Sequence, residues 1–165
     1  MSDTLHVFDL DGTLYDTLEA NTLAYETAGL EAYTREHHGK TATDWGCPAE
    51  IHEKKTEIFP RYAHLIKPTW AMPFYEIADM GNSAIVLTGA SASSVRVMES
   101  IHGKPFKVPF GITLNEAGKQ KVLSNLLRTG WKVVYYDDNV EMGKRLVSGF
   151  GEKPRIQLIT PGAIQ

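Results

Sequence analysis

Leu5-His6-Val7-Phe8-Asp9-Leu10-Asp11-Gly12-Thr13-Leu14 is the stretch from which the rest of the chain can be read. An apolar run empties into two carboxylates two residues apart, as expected where a buried strand ends. In extended backbone residues i and i+2 point to the same side, so Asp9 and Asp11 can address one small volume just past the strand. Gly12 then allows a sharp turn beside whatever binds there. Adjacent like charges repel unless a cation or a proton intervenes, which points to a divalent metal or to one raised pKa. Both are ingredients of phosphoryl transfer. Average residue usage would produce Asp-x-Asp-Gly-Thr by accident in roughly one of several hundred chains of this length; the bland alternative is an acidic turn closing a strand.

Further short apolar, β-branched runs occupy residues 84–87, 112–114, 133–136 and 156–159, each ending in polar or glycine-rich sequence, and with residues 5–10 they read as buried parallel strands. Helical periodicity separates them: Val95, Met98 and Ile101; Val122, Leu123, Leu126 and Leu127; Val140, Leu146, Val147 and Phe150. Ser91, Asn115 and Asn139 stand at expected N-caps, and Pro73 at the first turn of a helix through Phe74, Ile77 and Ala78. Strands alternating with helices predict a doubly wound α/β parallel sheet, whose ligands bind past the carboxyl ends of its strands.

The gap between the first and second strands breaks this rhythm and predicts an inserted helical cap. Leu14, Leu18, Thr22 and Tyr25 form one helical stripe; Ile51, Ile58, Phe59, Tyr62 and Leu65 form another, which Pro60 should kink or divide. Residues 39–48, with Trp45, read as the connecting loop. Residues 1–34 carry seven acids and no Lys or Arg, whereas residues 35–67 carry six Lys or Arg, five acids and four histidines. A mildly basic insertion facing an acidic site suits an anionic substrate; the alternative is a solvated helix face.

A length of 165 residues suits one domain with a small insertion. The net charge of −3 argues against a general polyanion binder. The single cysteine, Cys47, excludes an internal disulfide and a cysteine-based zinc cluster, and points to a reducing cytoplasm. The amino-terminal apolar stretch is too short, and lacks the basic flank, for a signal peptide or membrane span.

Three other strand ends or helix starts carry polar chemistry. Thr88-Gly89-Ala90-Ser91 combines a hydroxyl with backbone N–H groups able to hold phosphate oxygens, or is an ordinary polar turn. Lys119 is followed three and four positions later by Val122 and Leu123, which brings it closer to the inward helix face than its rival Lys121; a solvated lysine is the alternative. Asp137-Asp138-Asn139 closes the fourth strand, and its carboxylates either meet a cation or cap a helix. With Asp9 and Asp11 they make an all-oxygen set that suits Mg²⁺ and not Zn²⁺. The histidines show no ligand spacing, and His37-His38 reads as surface.

The order Asp-x-Asp-Gly-Thr, strand-Thr-Gly, Lys, strand-Asp-Asp resembles the four motifs of the haloacid dehalogenase superfamily of phosphohydrolases. The resemblance implies a Rossmann-like core over residues 1–14 and 68–165 and a small helical cap over residues 15–67. It implies Asp9 as nucleophile, Asp11 as general acid/base, Lys119 as charge stabiliser, and Thr88 as phosphate ligand beside Asp11, Gly12, Gly89 and Lys119. Mg²⁺ would be held by Asp9, the backbone carbonyl of Asp11, and Asp138 or Asp137. An aspartyl-phosphate splits one difficult substitution into two, and a second acid serves the leaving alkoxide and then the attacking water. Asp at position 11 favours a phosphatase over an ATPase pump or a dehalogenase.

A short cap goes with small enclosed phosphomonoesters or with larger substrates in an open crevice. Tyr15, Trp45, Phe59, Tyr62 and Trp70 either supply a base-stacking surface or are core. Leu-Thr-Gly and Tyr-Tyr-Asp-Asp also resemble small nucleotidases and nucleic-acid end-repair phosphatases, so nucleotides or polynucleotide ends are expected ahead of sugar phosphates. The alternatives are a phosphomutase and a noncatalytic phosphate-binding module.

Overall fold

Val7 and Phe8 are both fully buried yet belong to different packing clusters, which requires an extended strand covered on both faces. That strand, β1 (Thr4–Phe8), is the central one in the computed structural model, which describes residues 4–38, 40–81, 83–101, 110–113, 115–150 and 156–160. After it come β2 (Tyr15–Asp16), α1 (Leu18–Thr27), α2 (Arg35–His38), α3 (Ala42–Trp45), α4 (Ala49–Ile58), a 3₁₀ segment over Phe59–Leu65, and β3 (Lys67–Pro68). The remainder alternates: α5 (Ala71–Asp79), β4 (Ser83–Thr88), α6 (Ala92–Ile101), β5 (Phe110–Ile112), α7 (Glu116–Arg128), β6 (Lys132–Tyr136), α8 (Val140–Ser148) and β7 (Ile156–Ile159).

The main sheet has the order β5-β4-β1-β6-β7 and is parallel throughout. Phe8 lies in register with Val86 of β4 on one side and Tyr136 of β6 on the other. Strand order therefore reverses at β1, and a crevice opens past the carboxyl ends of β1, β4 and β6. One face of the sheet buries Phe8, Val86 and Tyr136 with Phe74 and Met98; the other buries Val7, Leu87 and Tyr135 with Leu123 and Leu146. The Phe8 ring stacks on Tyr136 with centroids 4.1 Å apart and meets Phe74 edge-on at 4.9 Å. The architecture is the doubly wound α/β sheet expected from the alternation.

The expected N-caps are formed. Ser91, Asn115 and Asn139 accept from the backbone N–H of Ser94, Gly118 and Met142 at 3.2, 2.8 and 3.1 Å. Pro73 sits in the first turn of α5, where no intrahelical N–H is needed. Between β1 and α5 the chain leaves and returns through a two-stranded ribbon, with Tyr15 opposite Pro68 and Asp16 opposite Lys67. The insert between these strands packs α1 against α4 and the 3₁₀ segment, which begins beside Pro60 as the sequence predicts.

Local expectations are corrected in places. Segment 39–48 is not wholly a loop: α3 forms within it, capped by Thr41, which accepts from Asp44 N–H at 3.2 Å, and closed by Gly46 at φ 78°. The buried side of α1 is Ala20, Asn21, Ala24 and Tyr25, whereas Leu14 precedes the helix in the turn after β1. β5 begins two residues ahead of the predicted 112–114, where pairing with β4 sets its place; Leu114 lies outside the described residues.

Phe8→Ala should lower unfolding free energy by about 3–5 kcal/mol, because it empties the ring stack at the centre of the sheet. Urea denaturation with an unchanged m-value measures this.

Candidate active site

Asp9 extends the β1 ladder by one residue, its N–H donating to the Tyr136 carbonyl at 2.9 Å, and its side chain enters the crevice. Lys119, on the second turn of α7, reaches it: Nζ lies 2.8 Å from Asp9 Oδ1, and both side chains are buried. Burial pulls the Lys119 pKa down, but the carboxylates of Asp9 and then Asp137 outweigh it and hold the ammonium above its ordinary value. Lys121 is exposed. The apolar positions that follow Lys119 are what turn it inward.

Asp137 and Asp138 arrive at the end of β6. Carboxylate oxygens of Asp9, Asp137 and Asp138 all lie within 4.8 Å of one another. Asp137 is fully buried; Tyr135 Oη donates to its Oδ2 at 2.7 Å and Asn139 N–H to its Oδ1 at 2.9 Å. Burial, and then the nearby Asp9 charge, pushes the Asp137 pKa up to about 8 and that of Asp138 up to about 6. Thr13 joins the strand ends: its hydroxyl lies 3.2 Å from Asp9 Oδ2 and 3.1 Å from Asp138 Oδ1, and it accepts the Asp138 N–H at 2.9 Å. Three crowded carboxylates with oxygen-only donors fit a hard divalent cation such as Mg²⁺ and do not fit a soft one.

Gly12 has φ 81°, and a Cβ there would lie 2.8 Å from Asp138 Cγ, so the turn needs glycine twice over. It stands behind Asp138 and not in the pocket lining, and its N–H is engaged by the Tyr15 carbonyl at 2.7 Å. The other expected residues, Asp9, Asp11, Thr88, Gly89, Lys119, Asp137 and Asp138, line one pocket of about 80 Å³. Thr88, the last residue of β4, is buried, and its Oγ1 accepts from Ala90 N–H at 3.0 Å. The carboxylate of Asp11 is outside the group of three: Thr17 Oγ1 donates to it at 2.6 Å. β1 ends at Phe8, so the alternation that would have aimed Asp9 and Asp11 alike does not extend to Asp11.

The insert forms the other side of the pocket, through Tyr25, Tyr33, His38, Trp45, His52 and Lys55. It is seated on the sheet ends by Asp44 Oδ2, which accepts from Glu116 N–H at 2.8 Å, and by Thr41, whose Cγ2 would lie 2.7 Å from a Cβ at Gly89. His38 corrects the surface reading of the histidine pair, because it lines the pocket and its Nε2 is sealed from solvent. Lys55 escaped the sequence reading, although Ile58 and Phe59 follow it at the same three- and four-residue spacing that singled out Lys119. Of the aromatics considered for base stacking, Tyr15 and Phe59 are core, Trp70 packs on Phe8 and Tyr136, and Tyr62 bonds Thr27 at 2.8 Å. Trp45 lines the pocket, but it sits edge-on to Tyr25 and Tyr33, which stack on each other at 4.6 Å.

Neither a family model nor a curated protein matches the chain by sequence. By structure it is similar to CbbY from Rhodobacter sphaeroides in complex with phosphate, at 20% identity over 96% of this chain and 86% of that one, with a TM-score of 0.67. It is similar to phosphatase Tt82 from Thermococcus thioreducens at 18% identity, 96% and 93% coverage and a TM-score of 0.60. A haloacid dehalogenase-like family hydrolase from Streptococcus pneumoniae matches at 16% identity, 98% and 96% coverage and a TM-score of 0.55. The fold is therefore the haloacid dehalogenase-like one.

The raised carboxyl pKa values set a sign for stability. Between the ordinary aspartate value of 3.8 and the shifted values near 6 and 8, the folded state binds more protons than the unfolded chain. In EDTA this stabilisation is complete below pH 4 and is lost as pH rises to about 8. Thermal melts in EDTA should show the midpoint falling across that range, with a flatter slope for Asp137→Asn.

Proposed function

We propose that the protein is a Mg²⁺-dependent phosphomonoesterase of the haloacid dehalogenase superfamily, acting through an aspartyl-phosphate on Asp9. The observation that carries this reading is the convergence of Asp9, Asp137, Asp138 and Lys119 on one pocket from separate strand ends and a helix. An oxygen of Asp9 attacks phosphorus in line while the ester oxygen leaves. Lys119 offsets charge on the attacking carboxylate and then on the transferring oxygens. The Thr88 hydroxyl and the Gly89 backbone hold the phosphoryl group. Asp11, held by Thr17 apart from the three clustered carboxylates, gives a proton to the leaving alkoxide and later takes one from the water that splits the aspartyl-phosphate. Mg²⁺ held by Asp9, Asp138 and the Asp11 backbone carbonyl would supply charge neutralisation between carboxylate and phosphoryl oxygens. Asp137, both of whose oxygens already accept hydrogen bonds, orients this set from behind.

In this reading residues 1–14 and 68–165 are the catalytic core and residues 15–67 the cap, a division supported by the β2–β3 ribbon. The pocket of about 80 Å³ under a seated insert favours a small phosphorylated metabolite. Nucleotides or nucleic-acid ends, expected from the Leu-Thr-Gly and Tyr-Tyr-Asp-Asp likeness, gain little support from the aromatics, since Tyr15 and Phe59 are core and Trp70 packs on Phe8 and Tyr136. Cys47 is a free thiol, which accords with a reducing cytoplasm, and no described helix is long and apolar enough to cross a membrane.

Purified protein with Mg²⁺ should release inorganic phosphate from p-nitrophenyl phosphate, lose that activity in EDTA and regain it on Mg²⁺ addition. Asp9→Asn should abolish turnover, and Asp11→Asn should lower kcat by about 10²–10⁴-fold. Metal-independent release, or full activity in Asp9→Asn, overturns the mechanism; isomerisation of a sugar phosphate without net phosphate release would identify a mutase.

A further inference from the structure

Lys55 is a buried cation without a counter-ion. It is 9% exposed on α4 and makes no ion pair or hydrogen bond among the described residues. Its ammonium lies 5.1 Å from the ring centroid of Tyr25 and 4.8 Å from that of Phe59, contacts that return only part of the hydration a buried charge gives up. Burial lowers its pKa, and the Asp11 charge opposes that without reaching ion-pair distance. Lys40, also on the pocket wall, already pairs with Glu36 at 3.6 Å. Among the described residues, Lys55 is thus an uncompensated cation that the insert presents to the pocket.

His38 shares that wall. Its Nδ1 bonds the Tyr33 hydroxyl at 3.1 Å, while Nε2 is buried with no partner. With Nδ1 accepting the tyrosine proton, Nε2 carries hydrogen and is a second unmet donor. The transferring phosphoryl group already has its cation in Lys119 on the sheet side of the pocket. At roughly 10–15 Å³ per water in the same measure, 80 Å³ holds a phosphoryl group and a short fragment between the sheet ends and the insert.

Resting on the phosphomonoesterase reading, we propose that Lys55, with the His38 ring beside it on the same wall, binds a second oxyanion of the substrate, a carboxylate or a further phosphate a short carbon chain from the ester. Matched esters test this: 2-phosphoglycolate against 2-hydroxyethyl phosphate, and 1,3-propanediol bisphosphate against 3-hydroxypropyl phosphate. The anionic member of at least one pair should have a kcat/KM at least about tenfold higher, as for a hydrogen bond to a charged group. The pair that shows the preference identifies the oxyanion. Lys55→Met, which keeps the apolar stem, should reduce the ratio to within about twofold, Lys55→Arg should retain most of it, and His38→Ala should lower it in part. Equal kcat/KM within both pairs, or a preference that survives Lys55→Met, overturns the proposal and leaves the hydrolase reading intact. Calorimetric titration of the same esters into Asp9→Asn with Mg²⁺ separates binding from turnover. Tighter binding of an anionic member, lost in Asp9→Asn/Lys55→Met, supports the Lys55 role even where the wild type releases no phosphate, a result that overturns only the hydrolase reading; no difference in binding overturns the Lys55 role.

Discussion

The structure is organised around mutual repulsion. Parallel strands deliver Asp9, Asp137 and Asp138 to one point, with carboxylate oxygens within 4.8 Å of one another and with little water to screen them. Nearly every neighbour of that point lowers the cost. Lys119 pairs with Asp9, Thr13 bridges Asp9 to Asp138, and the Tyr135 hydroxyl and Asn139 N–H both donate to Asp137. One ammonium still faces three carboxylates. Burial, and then the Asp9 charge, pushes Asp137 up to about 8, so that a proton fills part of the deficit, and a divalent cation fills it better.

The insert has the opposite imbalance. Lys55 and His38 present donors that the protein does not satisfy, on the wall facing the acidic strand ends. Each side of the pocket alone carries a polar group buried at a loss; together, with a cation on one side and an oxyanion on the other, they are complementary. Asp44, accepting the first N–H of the helix that carries Lys119, links the two sides.

The sheet and the acidic cluster were legible because both rest on strong local signals. Strands buried on two faces leave uninterrupted apolar runs, and polar residues just beyond them fall at the crevice of a doubly wound sheet. Lys119 was legible from the apolar residues one turn on. The orientation of Asp11 was not: β1 stops at Phe8, and the turn that follows hands Asp11 to Thr17. The packed side of α1 carries Ala20, Asn21 and Ala24, whose small side chains give little hydropathy contrast and acquire meaning only when a neighbouring helix closes over them. α3 is too short to show a period, and the site of β5 is decided by its pairing partner more than by its own residues. Lys55 bore the same signature as Lys119 but stood in a segment dense with charge, where an inward lysine looks like its solvated neighbours.

The ribbon of Tyr15–Asp16 against Lys67–Pro68 brings the two chain crossings side by side. The stretch between them leaves and rejoins the core at this one ribbon, and it is held down a second time where Asp44 accepts from Glu116 N–H. Changes in chain length are therefore tolerated best on the exposed side of that stretch, away from Phe59 and Ile66, which pack in the cluster of Phe8, and from Thr17, which holds Asp11. The ribbon thus acts as a hem that gathers an excursion of the chain without interrupting the parallel sheet beneath it.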